Sequence, residues 1–250
     1  MFDLLDYKSI FNQRADSYHK AMLKYPDARD EEFQLAIEEL TITSQMVLLD
    51  IPAGGGYIHK YLPKDIQLRH IETSEVFADL CHSGSPYQID ICELEQLPFD
   101  DNSVDAIVSV AGMHHIEDKT AFFAEIYRVL KPSGQFVLAD AEESSFVANF
   151  LDGWMGQHNS MGHKGWFYDS QMQTDLLQAG LLISKVENKD YGWNFSTIDE
   201  AAEYAKLLFG IDQATLEEVA EALEKYLGFN TKKPATFNWQ LQFITGSKPE

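Results

Sequence analysis

Three acidic residues stand where apolar, strand-like runs of the sequence end. Asp50, Glu72 and Asp90 close three successive runs of this kind. Because the carboxyl ends of parallel strands meet at one edge of a sheet, we expect the three carboxylates to face one crevice. Such a crevice suits hydroxyls, amines or a positive centre, and Glu72 is placed to accept hydrogen bonds from both hydroxyls of a ribose. The alternative role for these acids is helix capping or a solvated loop charge.

The first acid is followed at once by a glycine-rich turn. Residues 53–56 read Ala-Gly-Gly-Gly and lead into a helix-like segment at 57–62. Glycine lets the backbone turn tightly and lets a ligand approach without a Cβ in the way. The order strand, acid, glycine turn and helix is typical of a nucleotide-binding α/β unit. Pro52 occupies the first glycine position of the GxGxxG pattern, which argues against a dehydrogenase.

Two adjacent histidines, His114 and His115, are candidate general bases. They follow a fourth strand-like run at residues 105–110, so we expect them to reach over the same crevice. Imidazole is the side chain most often used to accept a proton near neutral pH. A purely structural role for the pair is the alternative.

A second polar group lies in the segment 144–168, where glycines surround His158 and His163. Its place after the fifth strand is typical of a substrate-facing loop, with His163 as a further candidate base; stabilisation of the loop itself is the alternative. No spacing of these histidines with Asp152 matches a known metal site, so we expect no bound metal. The residues expected to contact a substrate are Trp154, His158, His163 and Trp193.

The elements that must position these residues alternate between strands and helices. Repeated β-α units of this length predict an α/β fold with a doubly wound, mostly parallel sheet. Residues 237–243 alternate apolar and polar side chains, which predicts a last strand with one buried face. We expect one domain with a helical cap at 1–44, a core at 45–186 and 233–250, and a helical lid at 187–232.

Different sequence patterns predict the helices of the cap and of the lid. Arg14 and Tyr18 share one face of the first helix, where they either pack on the surface or cover the ligand pocket and bind a carboxylate. Thr197 and Thr215 each precede a glutamate by three positions, a capping box that opens a helix. The two helices either close over a pocket as a lid or pack on the sheet.

Bulk composition excludes several classes of protein. The chain has 250 residues, 45% of them hydrophobic, and a formal net charge of −21. This acidity argues against a nucleic-acid partner. No apolar run approaches the roughly 18 residues of a membrane span, and the first residues do not read as a signal peptide. Cys81 and Cys92 form no metal or redox motif, so we expect a cytoplasmic protein, which could pair with a second copy.

Several motifs together resemble class I S-adenosylmethionine-dependent methyltransferases. They are VLLDIPAGGG, IETSEVF, LPFDDNSVDAIVSVAGMHHIED and RVLKPSGQFVLAD, which occur in order between residues 46 and 140. Within that family, the motifs are most similar to those of the small-molecule group, type 11, that includes ubiquinone and menaquinone C-methyltransferases. The resemblance implies a Rossmann-like seven-stranded sheet with an antiparallel last strand. It also implies S-adenosyl-L-methionine as cofactor, S-adenosyl-L-homocysteine as product and a small-molecule acceptor.

The resemblance also implies roles for individual residues. Asp50 with the glycine turn should hold the methionine part of the cofactor, and Glu72 should hold the ribose. Asp90 should meet the adenine amino group, although the family places this acid nearer the LPF segment, which makes Glu93 the alternative. The full set of residues expected at the cofactor is Asp50, Ala53, Gly54, Gly56, Glu72, Thr73, Asp90, Ile91, Val110, Ala111, Tyr18 and Arg14.

Three functions are compatible with these residues. The first is methyl transfer to an oxygen, nitrogen or carbon of a small molecule by in-line displacement, with a histidine as an optional base. The second is another reaction, such as a cyclisation, in an enzyme that binds the same cofactor. The third is a regulatory protein that binds the cofactor without turnover.

Overall fold

A computed structural model describes residues 7–232 and 235–250 of the chain. The first six residues of the predicted cap and the predicted boundary at residue 233 lie outside the described residues. The helices are α1 (Tyr7–Lys24), α2 (Asp30–Glu38), α3 (Glu75–Gly84), α4 (Thr120–Val129), α5 (Phe146–Phe150), α6 (Ser170–Gln178), α7 (Ile198–Phe209) and α8 (Leu216–Ala222). The strands are β1 (Val47–Asp50), β2 (Gln67–Glu72), β3 (Gln88–Ile91), β4 (Val104–Val110), β5 (Leu130–Asp140), β6 (Leu182–Phe195), β7 (Phe229–Asn230) and β8 (Ala235–Ser247).

The strands form one sheet in the order β3-β2-β1-β4-β5-β8-β6, with β7 paired to β8. Strands β1 to β5 pair in parallel, whereas β8 is antiparallel to both β5 and β6. The order reverses beside β1, which is the point where ligands bind in open sheets of this kind. The predicted α/β class, parallel core and antiparallel last strand are confirmed, and β7 is an added short strand.

Buried apolar strands explain the parallel core. In β4 the side chains of Ala106, Ile107 and Val108 are fully buried, since helices cover both faces of a parallel sheet. In β8 the alternation seen in the sequence holds: Phe237, Trp239 and Leu241 are buried. The residues between them, such as Asn238 and Gln240, hydrogen-bond at the rim instead.

The predicted lid begins later than expected. Strand β6 continues as far as Phe195, so residues 187–195 pair with β8 and do not form part of a helical insertion. The period-two burial of Tyr191, Trp193 and Phe195 is the sequence signal for this longer strand. Helices α7 and α8 follow, opened by the side chains of Thr197 and Thr215 as predicted; only Thr215 forms the reciprocal capping box with Glu218.

Helix α1 packs across the insertion. Arg14 and Ser17 donate to the carbonyls of Leu208 and Leu207 in α7, over 2.7 Å each. Within the described residues, no helix is long and apolar enough to cross a membrane. The cytoplasmic location and the pairing of two copies stay predictions.

Candidate functional site

A cavity of about 480 Å³ opens at the carboxyl end of β1 and β4. We call it the loop cavity, because the glycine turn forms one of its walls. It brings together six of the residues expected at the cofactor, which are Tyr18, Asp50, Ala53, Gly54, Val110 and Ala111. The other residues that line it are Tyr7, Phe11, Arg29, Phe33, Pro52, Tyr57, Ile58, Phe77 and Gly112.

Glu72 lies at the end of β2 and is completely buried. Its Oε1 accepts the backbone N–H groups of Thr73 and Ser74 at 2.8 and 3.0 Å. Its Oε2 accepts the Gly54 N–H at 2.8 Å and the Tyr7 hydroxyl at 3.1 Å. Burial raises the pKa of Glu72 to about 7, although these four donors each favour the charged form and hold the pKa down.

Asp50 is held by a polar chain that the sequence did not indicate. Its Oδ2 lies 2.9 Å from Nδ1 of His70, and Nε2 of the same ring lies 2.9 Å from the Ser85 hydroxyl. Burial raises the pKa of Asp50, and the His70 contact offsets part of that rise. His70 therefore fixes the orientation of the Asp50 carboxylate at the wall of the loop cavity.

The backbone of the glycine turn leaves room for a ligand. Gly54 has a φ of +56°, and a Cβ built on it would meet no atom within 4 Å, so the space beside its Cα is open. Ala111 has a φ of 53°, an uncommon left-handed conformation for a residue with a side chain. Pro52 packs on Gly112, where a Cβ would lie 2.5 Å from the proline Cγ. The proline is thus accommodated by a glycine on the next loop.

Asp90, expected at the adenine, is bound by an arginine on the adjacent strand. Arg69 binds both of its carboxylate oxygens, with Nε to Oδ2 at 2.8 Å and Nη2 to Oδ1 at 2.7 Å. Neither Asp90 nor Ile91 is among the described residues that line the loop cavity or the groove beside it. That groove, which we call the outer groove, is lined by Glu93 together with Tyr7 and Thr73. The contact with Arg69 therefore favours Glu93, the alternative partner for the adenine amino group.

A second cavity of about 500 Å³ adjoins the loop cavity. We call it the histidine cavity, since His114, His115 and His163 all line it. The two cavities share Phe11, Tyr18, Arg29 and Ala111 as lining residues. The remaining lining residues of the histidine cavity are Arg14, Leu151, Met155, Trp193, Leu208, Phe209 and Trp239.

The three histidines form a compact cluster. Their rings lie with centroids 4.1 Å apart for His114 and His115, and 5.6 Å from each of these to His163. Nδ1 of His114 lies 2.7 Å from Oδ1 of Asp140, and Nδ1 of His163 lies 2.7 Å from Oδ1 of Asp152. A carboxylate thus orients two of the three rings.

Burial favours the neutral form of His115 and His163. It lowers the pKa of His115 well below the ordinary value, and the neighbouring His114 and His163 add to the effect. Burial also lowers the pKa of His163, against the opposing effect of Asp152. At Asp140, burial works to raise the pKa, but His114 and two backbone N–H groups hold it below the ordinary value.

Two arginines line the histidine cavity, and they differ in their partners. Arg29 is buried against Glu32, and its Nη1 also donates to the Tyr18 hydroxyl. Arg14 has no carboxylate partner within 7–232 and 235–250, and its Nε is buried without a hydrogen-bond partner there. Burial lowers the pKa of Arg14 to about 10, so the guanidinium remains charged at neutral pH. The sequence did not predict that Arg29 lines both cavities, because no pattern around it distinguishes it from an arginine at the surface.

Of the residues expected to contact a substrate, His163 and Trp193 line this cavity. Trp154 and His158 are not among the described residues that line it. They stack on each other with ring centroids 4.2 Å apart, and Nδ1 of His158 lies 2.7 Å from the Trp154 carbonyl oxygen. Helical spacing places the two on the same face, where they contact each other. Gly56 packs closely on α3, since a Cβ there would lie 2.4 Å from the Cys81 sulfur.

Known proteins resemble the part of the chain that forms this site. Residues 49–138 match the family of the methyltransferase domain. An arginine hydroxylase of Danio rerio, NDUFAF5, is 33% identical over 92 residues, which are 36% of this chain and 29% of that protein. The ubiquinone/menaquinone biosynthesis C-methyltransferase UbiE of Desulfotalea psychrophila is 26% identical over 51% of this chain and 53% of its own. The chain therefore spans about half or less of the length of these relatives.

The fold extends the likeness over nearly the whole chain. The solved structure of phosphoethanolamine N-methyltransferase 2 from Haemonchus contortus, in complex with S-adenosyl-L-methionine, has a TM-score of 0.67. It is 14% identical and covers 98% of this chain and 60% of its own. The family match covers residues 49–138, and the fold of nearly the whole chain is that of a solved methyltransferase. Both agree with the resemblance to class I S-adenosylmethionine-dependent methyltransferases and with S-adenosylmethionine as cofactor, and the matched segment is similar to a ubiquinone/menaquinone C-methyltransferase.

Proposed function

We propose that the protein transfers the methyl group of S-adenosylmethionine to a small molecule that binds in the histidine cavity. The observation that supports this most strongly is the shared wall between the two cavities, formed by Phe11, Tyr18, Arg29 and Ala111. A cofactor in the loop cavity and an acceptor in the histidine cavity would meet at this wall. The cofactor supplies a methyl group that its positive sulfur already activates.

The residues of the loop cavity suit the cofactor by their chemistry. Asp50 offers a carboxylate to an ammonium group, and the open space at Gly54 admits a ligand against the backbone. Glu72 does not line this cavity, but its Oε2 accepts the Gly54 N–H of the cavity wall and is the oxygen offered to a ribose hydroxyl. In the described structure Tyr7 occupies part of that capacity, so α1 must shift locally when the ribose binds.

For the adenine we propose the outer groove, with Glu93 as the partner of the amino group. Glu93 and Thr73 line the groove together, and Tyr7 is common to the groove and to the loop cavity. The ion pair that Glu93 forms with Lys8 at 3.1 Å is solvent-exposed, so it is easily exchanged for a ligand.

The acceptor is proposed to be a largely apolar molecule with an anionic or hydrogen-bond-accepting group. Leu151, Met155 and Phe209 supply the apolar walls. Arg14 supplies a buried charge without a carboxylate partner, and Nε1 of Trp239 is a buried donor without a partner among the described residues. Buried unsatisfied donors cost free energy, which a ligand acceptor atom would recover.

The protein's contribution to transfer is positioning, water exclusion and proton removal. Buried walls on both sides of Ala111 exclude water and hold the acceptor in line. A neutral imidazole of the cluster can take a proton from the acceptor, since His115 and His163 are kept uncharged by burial. Cyclisation and cofactor binding without turnover have no specific structural observation in their favour.

The test is a transfer assay that follows S-adenosylhomocysteine release against a panel of aromatic acids, phenols and quinols. We expect turnover with an apolar, anionic member of the panel and none with tRNA or with cationic amines. Turnover only with tRNA would contradict the small-molecule acceptor, and cofactor binding without turnover on any of these acceptors would contradict the proposed transfer.

A further inference from the structure

We propose that His114, His115 and His163 form a binding site for one divalent transition-metal ion of the zinc type, open towards the histidine cavity. The proposal replaces the expectation of no metal, and it rests on the side-chain cluster alone, independently of methyl transfer. The sequence spacing concealed the cluster because His163 comes from a loop far along the chain from the adjacent pair.

The positions of the donor atoms support the site. One ring nitrogen from each of the three residues lies within 4.8 Å of the others. Zinc–nitrogen bonds are about 2.0–2.1 Å long, so a shared tetrahedral ion requires the nitrogens to approach to about 3.4 Å. Small rotations of His163 about its side-chain bonds would close that difference, because this residue belongs to a loop. No fourth protein ligand of this cluster occurs among the described residues.

The hydrogen bonds of the rings are those of metal ligands. His114 and His163 each bind a carboxylate through Nδ1, Asp140 in one case and Asp152 in the other. That bond fixes the tautomer, so Nε2 of both rings carries a lone pair directed away from the carboxylate. Metal-ligating histidines almost always bind such a partner through the other nitrogen, and the partner raises the basicity of the ligand. The two pairs here therefore form the outer shell that a metal site requires.

The number and kind of the ligands are also appropriate. Three imidazoles with one open position constitute a known ligand set for catalytic zinc. Asp152, which the sequence suggested as a weak candidate for direct ligation with His158 and His163, instead lies behind His163.

The nearby cation decides what fills the open position. Arg14 lines the same cavity as the three histidines, and its charge would repel a bare metal ion. An anionic oxygen bound between the metal and Arg14 removes that repulsion. The site therefore favours an anionic ligand, either hydroxide or an acidic oxygen of the acceptor, in keeping with the chemistry of the cavity.

The test measures metal content in the absence of cofactor and acceptor, so its outcome does not depend on methyl transfer. Untagged protein is stripped with a chelator, loaded with Zn²⁺ and passed through a desalting column, and the retained zinc is measured by mass spectrometry. We expect one Zn²⁺ per chain for the wild type and for His158→Asn. We expect none for His114→Asn and His163→Asn. Loading with Co²⁺ should give the visible absorption of a tetrahedral cobalt site in the wild type and in His158→Asn, and in neither ligand variant.

The outer shell provides a variant that preserves all three ligands. Asp152→Asn should retain the site but weaken zinc affinity by about 10–100-fold, the usual effect of removing such a partner. Thermal unfolding without metal shows whether each variant is folded, and the Asp152→Asn comparison decides the question if a histidine variant is not. Zinc retained equally by the wild type and His163→Asn, or lost equally in His158→Asn, would overturn the proposal. So would a wild type that retains no zinc.

Discussion

The Tyr7 hydroxyl donates to Oε2 of Glu72 over 3.1 Å, and with it the carboxylate has four donors. The other three are the backbone N–H groups of Gly54, Thr73 and Ser74. A carboxylate has about four lone-pair sites, so Glu72 has no acceptor capacity left for a ribose. Tyr7 is the one donor of the four that belongs to a side chain, and it is therefore the one that a ligand can displace.

This relationship predicts that Tyr7→Phe binds the cofactor more tightly. Removing the hydroxyl removes the competitor for Oε2, which is worth about 1 kcal/mol, or roughly a fivefold lower Kd for S-adenosylhomocysteine. The same change should lower the free energy of unfolding of the ligand-free protein by about 1 kcal/mol. Calorimetric titration and denaturant unfolding measure the two effects. Weaker binding would mean that the hydroxyl contacts the cofactor directly.

Cofactor affinity should depend on the charge of Glu72. Burial raises the pKa of this carboxyl to about 7. Ribose hydroxyls donate to the charged form, so the Kd for S-adenosylhomocysteine should rise as pH falls below about 7, towards tenfold per unit. The titratable groups coupled to Glu72 are Tyr7, Cys81 and Cys92, and burial raises the pKa of each, so all three stay neutral between about pH 6 and pH 8.

The raised pKa of Glu72 also affects stability, but in the opposite direction: stability should fall as the pH rises, whereas cofactor affinity should increase. Between about pH 4.5 and pH 7, folded Glu72 keeps a proton that the unfolded chain has lost. Raising the pH through this window therefore lowers the contribution of this residue to the free energy of unfolding. Calorimetric titrations with S-adenosylhomocysteine at a series of pH values measure the effect on Kd, and urea unfolding at the same pH values measures the effect on stability. Both pH dependences should be lost in Glu72→Gln. A pH-independent Kd in the wild type would contradict the assignment of Glu72 to the ribose.

Arg14 should act on the acceptor and leave the cofactor unaffected. Arg14→Gln removes the charge in the histidine cavity that lacks a carboxylate partner, so KM for an anionic acceptor should rise by about 10–100-fold. The Kd for the cofactor should change less than about twofold. Arg128→Gln is the matched control, because its guanidinium binds Glu125 and Asp101 away from both cavities. An equal rise in both variants would exclude a specific contact with Arg14.

The buried pair of Arg29 and Glu32 should be important for stability. Glu32 accepts from Arg29 through Oε1 and from Tyr191 and Trp193 through Oε2, at 2.8 and 2.9 Å. Glu32→Ala leaves a buried cation without its partner, which costs about 3–5 kcal/mol of unfolding free energy.

The neighbouring acid supplies the control for that measurement. Glu31 is exposed, and its contact with the Gly192 N–H is long at 3.3 Å, so Glu31→Ala should change the free energy of unfolding by less than about 0.5 kcal/mol. Urea unfolding compares the two variants. A Glu32→Ala protein as stable as Glu31→Ala would show that the pair contributes nothing to the fold.

Residues that act through local chain order were predictable from the sequence. Asp50 ends β1, and Gly54 and Ala111 lie in the loops after β1 and β4, which the parallel sheet brings to one edge. Glu72 ends β2, as the sequence predicted, and its binding of the ribose stays a prediction. The fold class follows from the same β-α alternation, which local patterns encode.

Residues whose partners come from elsewhere in the chain were not predictable. His70 on β2 contacts the Asp50 carboxylate on β1, and Arg69 on β2 binds the Asp90 carboxylate on β3. Tyr7 reaches Glu72 from a helix that lies 65 residues earlier in the chain.

Glu72 and the glycine turn are proposed to bind S-adenosylmethionine. Calorimetric titration of the wild type and of Glu72→Ala tests this most directly. We expect one cofactor per chain in the wild type. The loss of one hydrogen bond from the ribose to a charged carboxylate, about 1.5–3 kcal/mol, should raise the Kd at least tenfold in the variant. No heat with the wild type, or the same Kd in both proteins, would show that Glu72 does not bind the cofactor.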